Sequence, residues 1–164
     1  MLAVAKCRTM RELGAQGAAL TPGVLAAILG MPNLECLDLE ATAFDDQMAA
    51  DMSGSTKLVS LDLGATNLSG RGLAHICKMK QLRHLDLWAT KIQLEDVDHL
   101  SRLPNLESLT LGNFDEGEPW AAENLLPKLL VMQPLRRIWL DGIPVNDIQK
   151  IRLESRFEDV RLTI

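Results

Sequence analysis

The sequence predicts an α/β solenoid, with a curved sheet of parallel strands on its concave side and short helices on its convex side. Three observations carry the prediction. Leucines recur at a fixed step of 24 residues, at Leu34, Leu58, Leu82 and Leu106, and a constant period in this range marks stacked supersecondary units. Each of the first three opens the same phrase, clearest in Leu82-Arg83-His84-Leu85-Asp86-Leu87-Trp88-Ala89-Thr90-Lys91-Ile92, where apolar and polar residues alternate as in a strand. A short helical signal follows each phrase, so every strand is succeeded by the same crossover and neighbouring strands must run parallel.

The elements follow in order. With Leu13 set against Leu85, Val4 falls opposite Ile76 and Met10 opposite Leu82. Residues 2–7 then match the second half of a repeat helix, so the chain reads as opening inside a repeat. That suits a module cut from a larger protein, or a protein with a shortened capping helix. Residues 10–15 fill the first strand slot in degenerate form, and Leu20 takes the slot of Leu68 and Ile92. Thr21-Pro22 reads as an N-cap and first helical residue. Val24, Leu25 and Ile28 share one face of that helix, and Gly30 suits a left-handed stop. The second helix slot starts at Asp45 or Asp46 and runs to Met52, with Met48 and Met52 inward and Gly54 at its stop. The third opens at Ser69 and buries Leu73 and Ile76. The fourth uses Val97 and Leu100, and Leu103-Pro104-Asn105 leads back to Leu106.

The regularity then breaks, because the next step, from Leu106 to Leu135, is 29 residues. The extra residues fall in 115–120, ahead of a helix over 121–131 that Pro127 limits or kinks. Residues 135–140 form the next strand. Asn146-Asp147 can cap a helix carrying Ile148 and Ile151. Phe157, Val160 and Leu162 make a last half-repeat among charged neighbours such as Arg152, Glu154 and Arg156, as a terminal cap requires, and Ile164 reads as a natural end. The organisation is one domain: degenerate repeats over 1–33, regular repeats over 34–111, irregular repeats and a cap over 112–164. About seven strands at ~4.8 Å give an arc roughly 30 Å long.

The phrase L-x-x-L-x-L-x-x-T-x-[LI] resembles the leucine-rich repeat family, and the resemblance covers nearly the whole chain. Thr42, Thr66 and Thr90 stand where many of its members carry asparagine. A side chain there should hydrogen-bond the backbone where the chain bends out of the strand. Phe114 and Ile143 take that slot in the irregular part. The residues after the strand look like those of the ribonuclease-inhibitor-like and bacterial or protist helical classes.

Composition narrows the setting. Charged residues are 24%, hydrophobic residues 47% and mean hydropathy is +0.04, as in an ordinary soluble chain. A net charge of −5 and a pI of 5.2 argue against nucleic acid as partner. No apolar run approaches the ~18–20 residues of a membrane span, so no membrane partner is expected. Lys6, Arg8 and Arg11 do not suit a signal peptide. Cys7, Cys36 and Cys77 are odd in number and scattered. Extracellular leucine-rich repeats commonly carry cysteine-rich caps, and neither end here has one, which implies a reducing, cytoplasmic setting.

The strand period of two sorts residues into columns on the concave face. One runs Cys36, Ser60, His84, Ser108, Arg137; a second Asp38, Asp62, Asp86, Thr110, Trp139; a third Glu40, Gly64, Trp88, Gly112, Asp141. The aspartates either sit solvated or attract a basic partner or a cation. Trp88 and Trp139 have no core reason to lie on an open face, and such aromatics mark partner sites; packing against neighbouring concave side chains is the alternative. His84 would join this surface or bond Asp86. The insertion at 115–120 is either a binding loop or the start of a longer helix with Trp120 packed beneath it.

Chemistry finds little support. Ser60, His84 and Asp86 would adjoin, but a shallow open sheet offers no oxyanion hole. Cys36 and His84 stand two strands apart, about 10 Å, too far for a nucleophile and its base. No zinc-protease, nucleotide-loop or paired-cysteine motif is present. The expectation is therefore no enzyme, no cofactor and no dedicated metal. Trp88, Trp139, His84, Arg137, Asp86 and Asp62 are the candidate partner-binding residues, with Trp120 at one edge. The partner would be another protein, with a basic segment if the aspartates take part. The resemblance implies a recognition module, such as part of a ubiquitin-ligase substrate adaptor, an effector or a scaffold. A structural subunit packed permanently through an open repeat edge at residues 1–13 is the alternative. The oligomeric state is not legible.

Overall fold

The protein is described by a computed structural model over residues 9–112 and 120–163. Seven strands form one sheet: β1 Glu12–Gly14, β2 Cys36–Asp38, β3 Ser60–Asp62, β4 His84–Trp88, β5 Ser108–Gly112, β6 Arg137–Asp141 and β7 Asp159–Thr163. They lie side by side in chain order, and every pairing is parallel. The 24-residue step sets the register. Leu37 stands beside Leu61, Leu61 beside Leu85 and Leu85 beside Leu109. Each strand thus delivers its inward leucines to one continuous stack, where Leu37, Leu39, Leu61, Leu63, Leu85, Leu87, Leu109 and Leu111 are all buried. Each such leucine stabilises by roughly 1.5–3 kcal/mol relative to exposure.

The crossovers are α1 Pro22–Leu29, α2 Asp46–Met52, α3 Gly70–Ile76, a 3₁₀ helix at Leu94–Arg102, α4 Ala122–Leu130 and α5 Asp147–Arg156. Caps fall where the sequence signals them. Thr21, Asp45 and Asn146 side chains accept from the amides of Val24, Met48 and Gln149 at 3.3, 2.9 and 2.9 Å, each satisfying a donor that the helix start leaves open. Leu25, Ile28, Met48, Met52, Leu73, Ile76, Val97 and Leu100 complete the core from the helical side. Neighbouring helices are also joined directly. The Asp46 carboxylate accepts from the Ser69 hydroxyl at 2.6 Å and from the Ser69 and Gly72 amides at 2.8 and 3.1 Å. A side chain on Gly72 would collide with it, since a Cβ there lies 2.5 Å from Asp46 Oδ1. Burial works against ionisation of Asp46, but those three bonds outweigh it and hold its carboxyl below the usual range.

Several expectations need correction. The fourth crossover is a 3₁₀ helix, because its core-facing residues Leu94, Val97, Leu100 and Leu103 recur every third position, the 3₁₀ period. Gly30 ends α1 with φ −71°, not left-handed, as Met31 continues the turn into the core. The α2 cap is Ser53, one residue before Gly54. Pro127 sits within α4 without ending it; it lies on the exposed side, where the missing amide costs least. The helix expected to carry Ile148 and Ile151 does so, with the two 72% and 65% exposed, and Leu153 is its buried residue. A three-residue spacing marks a face but not its rotation toward the core. Residues 2–7, Cys7, Phe114 and the 115–119 part of the insertion lie outside the described residues. Among those described, no helix is long and apolar enough to cross a membrane.

Thr42, Thr66 and Thr90 are buried. Each donates its hydroxyl proton to the carbonyl three residues back, on Leu39, Leu63 and Leu87, at 2.7, 2.7 and 2.9 Å. The residues before them, Ala41, Ala65 and Ala89, have φ of 54°, 52° and 52°, a left-handed conformation rare for residues with a side chain.

Candidate concave recognition groove

Pairing of β4, β5, β6 and β7 assembles the columns as the period requires. From strand to strand one column runs His84, Ser108, Arg137; the next Asp86, Thr110, Trp139, Arg161; the third Trp88, Gly112, Asp141, Thr163, each beside the one before it. Between Trp88 and Trp139 the face hollows into a groove of about 440 Å3. Its lining also includes Glu40, Asp62, Gly64, Asp86, Thr110, Asp141 and Thr163.

The aspartate column has a structural role that the sequence did not reveal. Asp38, Asp62 and Asp86 each accept from the backbone amide two residues on, of Glu40, Gly64 and Trp88, at 3.0, 2.8 and 2.9 Å. The bonds secure the chain where it leaves the strand. Asp38 also accepts from the Gln16 side-chain amide. Asp62 is the most constrained: burial pushes its carboxyl up to about 6 against the Gly64 amide bond, and Asp86, Asp38 and Glu40 add repulsion. A side chain at Gly64 would enter this cluster, 3.2 Å from Asp62 Oδ1 and 3.6 Å from Asp86 Oδ1. Asp38, Glu40 and Asp62 can bring one oxygen each within 4.8 Å of one another. That arrangement would suit a hard cation.

The tryptophans behave differently from each other. Trp88 is half-buried and lies across Gly112, where a Cβ would stand 2.7 Å from its Cδ1. Its Nε1 donates to Asp141 Oδ2 at 2.6 Å. It is therefore packed against the sheet, a fixed wall held by its neighbours. Trp139 stays 42% exposed, although its Nε1 donates to Thr163 Oγ1 at 2.9 Å. The Arg161 guanidinium stands 5.7 Å over its ring.

Of the expected residues, Asp62, Asp86, Trp88 and Trp139 meet in the groove. Arg137 is exposed beside it and lines a smaller hollow of about 180 Å3 with Trp139 and Arg161. His84 lies in the same outer column and makes no hydrogen bond to Asp86. Burial, then Arg137, holds its ring below the ordinary imidazole range, so it is a neutral group near pH 7. Trp120 is a correction: it is 8% exposed and belongs to the core cluster. An aromatic entering a helix that must cover a core is drawn beneath it by apolar burial. Glu40, Asp141 and Thr163 were absent from the expected set. The first two stand in the third column, so the strand period was the available signal. The cysteines carry no reactive signature. Burial, then Glu12 and Glu35, raises the Cys36 thiol, and burial pushes Cys77 up to about 12. Both are protonated, poor nucleophiles at neutral pH.

No protein-family model and no curated protein matches the sequence. Among solved structures, the chain is similar to one described as a TLR13–ssRNA13 complex, with a TM-score of 0.63 at 17% identity. The match covers 95% of this chain and 26% of that one, so this chain spans about a quarter of its length. It is also similar to the actin-binding site 2 of leiomodin-1, with a TM-score of 0.58 at 17% identity, over 94% of this chain and 91% of that one. Likeness at this identity carries the fold and nothing of the partner.

Proposed function

We propose that this leucine-rich repeat solenoid, so identified by its repeat and by its fold, is a recognition module that binds another protein through its concave face. The observation that carries the reading is the groove between Trp88 and Trp139. A rigid sheet presents a half-exposed tryptophan beside a fixed one, and Trp and Arg concentrate binding energy at interfaces. The partner surface is Trp139, Trp88, Asp62 and Asp86, flanked by Arg137 and His84. The carboxylates crowding this face disfavour a phosphate backbone. The same face is ill suited to catalysis, since the Cys36 thiol is held protonated and a shallow open sheet is a poor setting for an oxyanion hole beside Ser60 and His84. The unpaired thiols of Cys36 and Cys77 suit a reducing compartment.

The test captures proteins from a lysate on the immobilised chain and on Trp139→Ala/Arg137→Ala, after circular dichroism shows both folded. Specific capture lost in the variant is the expected result, and capture that is unchanged overturns the concave reading. One observation favours a second reading, packing into an assembly through another face. Val131, Ile148 and Ile151 are large, apolar and 69%, 72% and 65% exposed on the helical side. Capture lost on Ile148→Asp/Ile151→Asp, but kept in the concave variant, would select it.

A further inference from the structure

We infer that the groove docks a basic peptide segment, with a lysine or arginine side chain seated between Trp88 and Trp139 against the carboxylates of Asp62 and Asp86. The inference rests on the concave reading and names the chemistry of its partner. Charge complementarity carries it. Four acids line the groove, Glu40, Asp62, Asp86 and Asp141, and none of the described residues lining it is basic. Three of these acids are fixed by the fold. Asp62 and Asp86 are held through their Oδ1 atoms by backbone amides, and Asp141 by the Trp88 indole. They are preorganised acceptors, and a bound cation would not have to order them.

The aromatic walls add a second, independent preference. An indole face attracts a cation within about 6 Å of its ring, more so where water is excluded. Trp139 already makes this contact internally with Arg161. The groove volume of about 440 Å3 falls within the range of ligand clefts, about 300–1,000 Å3. It admits a long side chain together with the backbone that carries it. An ammonium or guanidinium with an apolar stem matches both linings, since the stem packs on indole while the head meets carboxylate. A bare metal ion would use the acids and leave the tryptophans without a role.

The probe is fluorescein-labelled hexalysine, titrated with the full chain by fluorescence anisotropy at low and high salt, beside its fully acetylated form. Hexalysine is expected to bind, more weakly as salt rises, and the acetylated peptide not to bind. Asp62→Asn/Asp86→Asn keeps the amide-accepting oxygens and should weaken binding about tenfold. Trp139→Ala should weaken it about threefold. Glu95→Gln/Glu123→Gln removes the same charge on the helical side and should change nothing. Equal weakening in both charge pairs overturns the proposal in favour of diffuse attraction, and no weakening in the groove pair overturns it outright. Calcium binding measured by titration calorimetry, with no binding of hexalysine, assigns the carboxylates to a metal ion instead. If hexalysine ignores the groove while Trp139→Ala/Arg137→Ala still abolishes capture, the concave reading stands and the basic occupant falls.

Discussion

The middle of the solenoid and its two ends solve one turn in different ways. Where the chain leaves β1, β2, β3, β4 and β6, one residue takes a left-handed conformation. In the regular repeats that residue is alanine, at Ala41, Ala65 and Ala89; in the flanking repeats it is glycine, at Gly17 and Gly142, with φ of 62° and 65°. The next residue differs in step. Behind each alanine stands a buried threonine whose hydroxyl holds the carbonyl three residues back. Behind the glycines stand Ala18 and Ile143, which have no hydroxyl. A left-handed alanine costs roughly 1–2 kcal/mol, and a net hydrogen bond contributes about 0.5–1.5 kcal/mol. The two are of one size. The threonine bond therefore offsets the strain of the alanine, and without it glycine removes the strain.

The comparison breaks most visibly at Thr66→Val. The substitution keeps the shape and deletes the donor to the Leu63 carbonyl. Loss of about 1–3 kcal/mol is expected, since a buried acceptor is left unpaired, and urea unfolding measures it. An unchanged midpoint would mean the hydroxyl does not support the turn. The reciprocal exchange comes next. Gly142→Ala imposes a left-handed alanine with Ile143 behind it and no hydroxyl to offset it. It should cost about 1–2 kcal/mol, whereas Ala65→Gly should fall within a few tenths of neutral. There, relief of strain opposes the entropy that glycine adds to the unfolded chain. If both shift stability equally, the pairing of residue and hydroxyl is coincidental.

Periodicity made the sheet legible. A 24-residue step and alternating leucines fix the parallel strands β1 to β5 and their register, because both depend on spacing alone, and the same alternation carries β6 and β7 past the break in the step. The caps at Thr21 and Asn146 were legible from residue type, and that of α2 to within Asp45 or Asp46. The left-handed alanines were not, because alanine carries no conformational signal of its own and the strain shows only in the backbone. The bond from Asp46 to the next helix was hidden too, since it joins residues a full repeat apart. For the groove, the columns placed Asp62, Asp86, Trp88 and Trp139 correctly. They could not tell that Trp88 would lie down across Gly112 toward Asp141, because a column gives position and not the tilt of a long side chain. Trp120 misled because an irregular stretch offers no period from which to read inside from outside.

A smaller effect than the loss of the threonine bond separates the two roles of the aspartate column, securing the chain and presenting charge. Asp62→Asn keeps the oxygen that accepts from Gly64 and removes the charge. The folded carboxyl titrates at about 6 against an ordinary 3.8, so the native state holds its proton more tightly than the unfolded one. Its ionisation therefore opposes folding: stability is full below about pH 3.8, falls as pH rises, and reaches its lower level above about 6. The asparagine variant escapes that loss. It should gain on wild type by about 1 kcal/mol at pH 7, after solvent screening of a partly exposed group, and nothing below pH 3.8. Unfolding midpoints of both proteins across that window test it. A gain that grows between about pH 3.8 and 6 and stays constant above it marks charge that the fold tolerates at a cost, as a surface kept for a cation would show. A variant less stable than wild type at pH 7 would mean that the carboxylate itself holds the turn, and the column would then be structural from end to end.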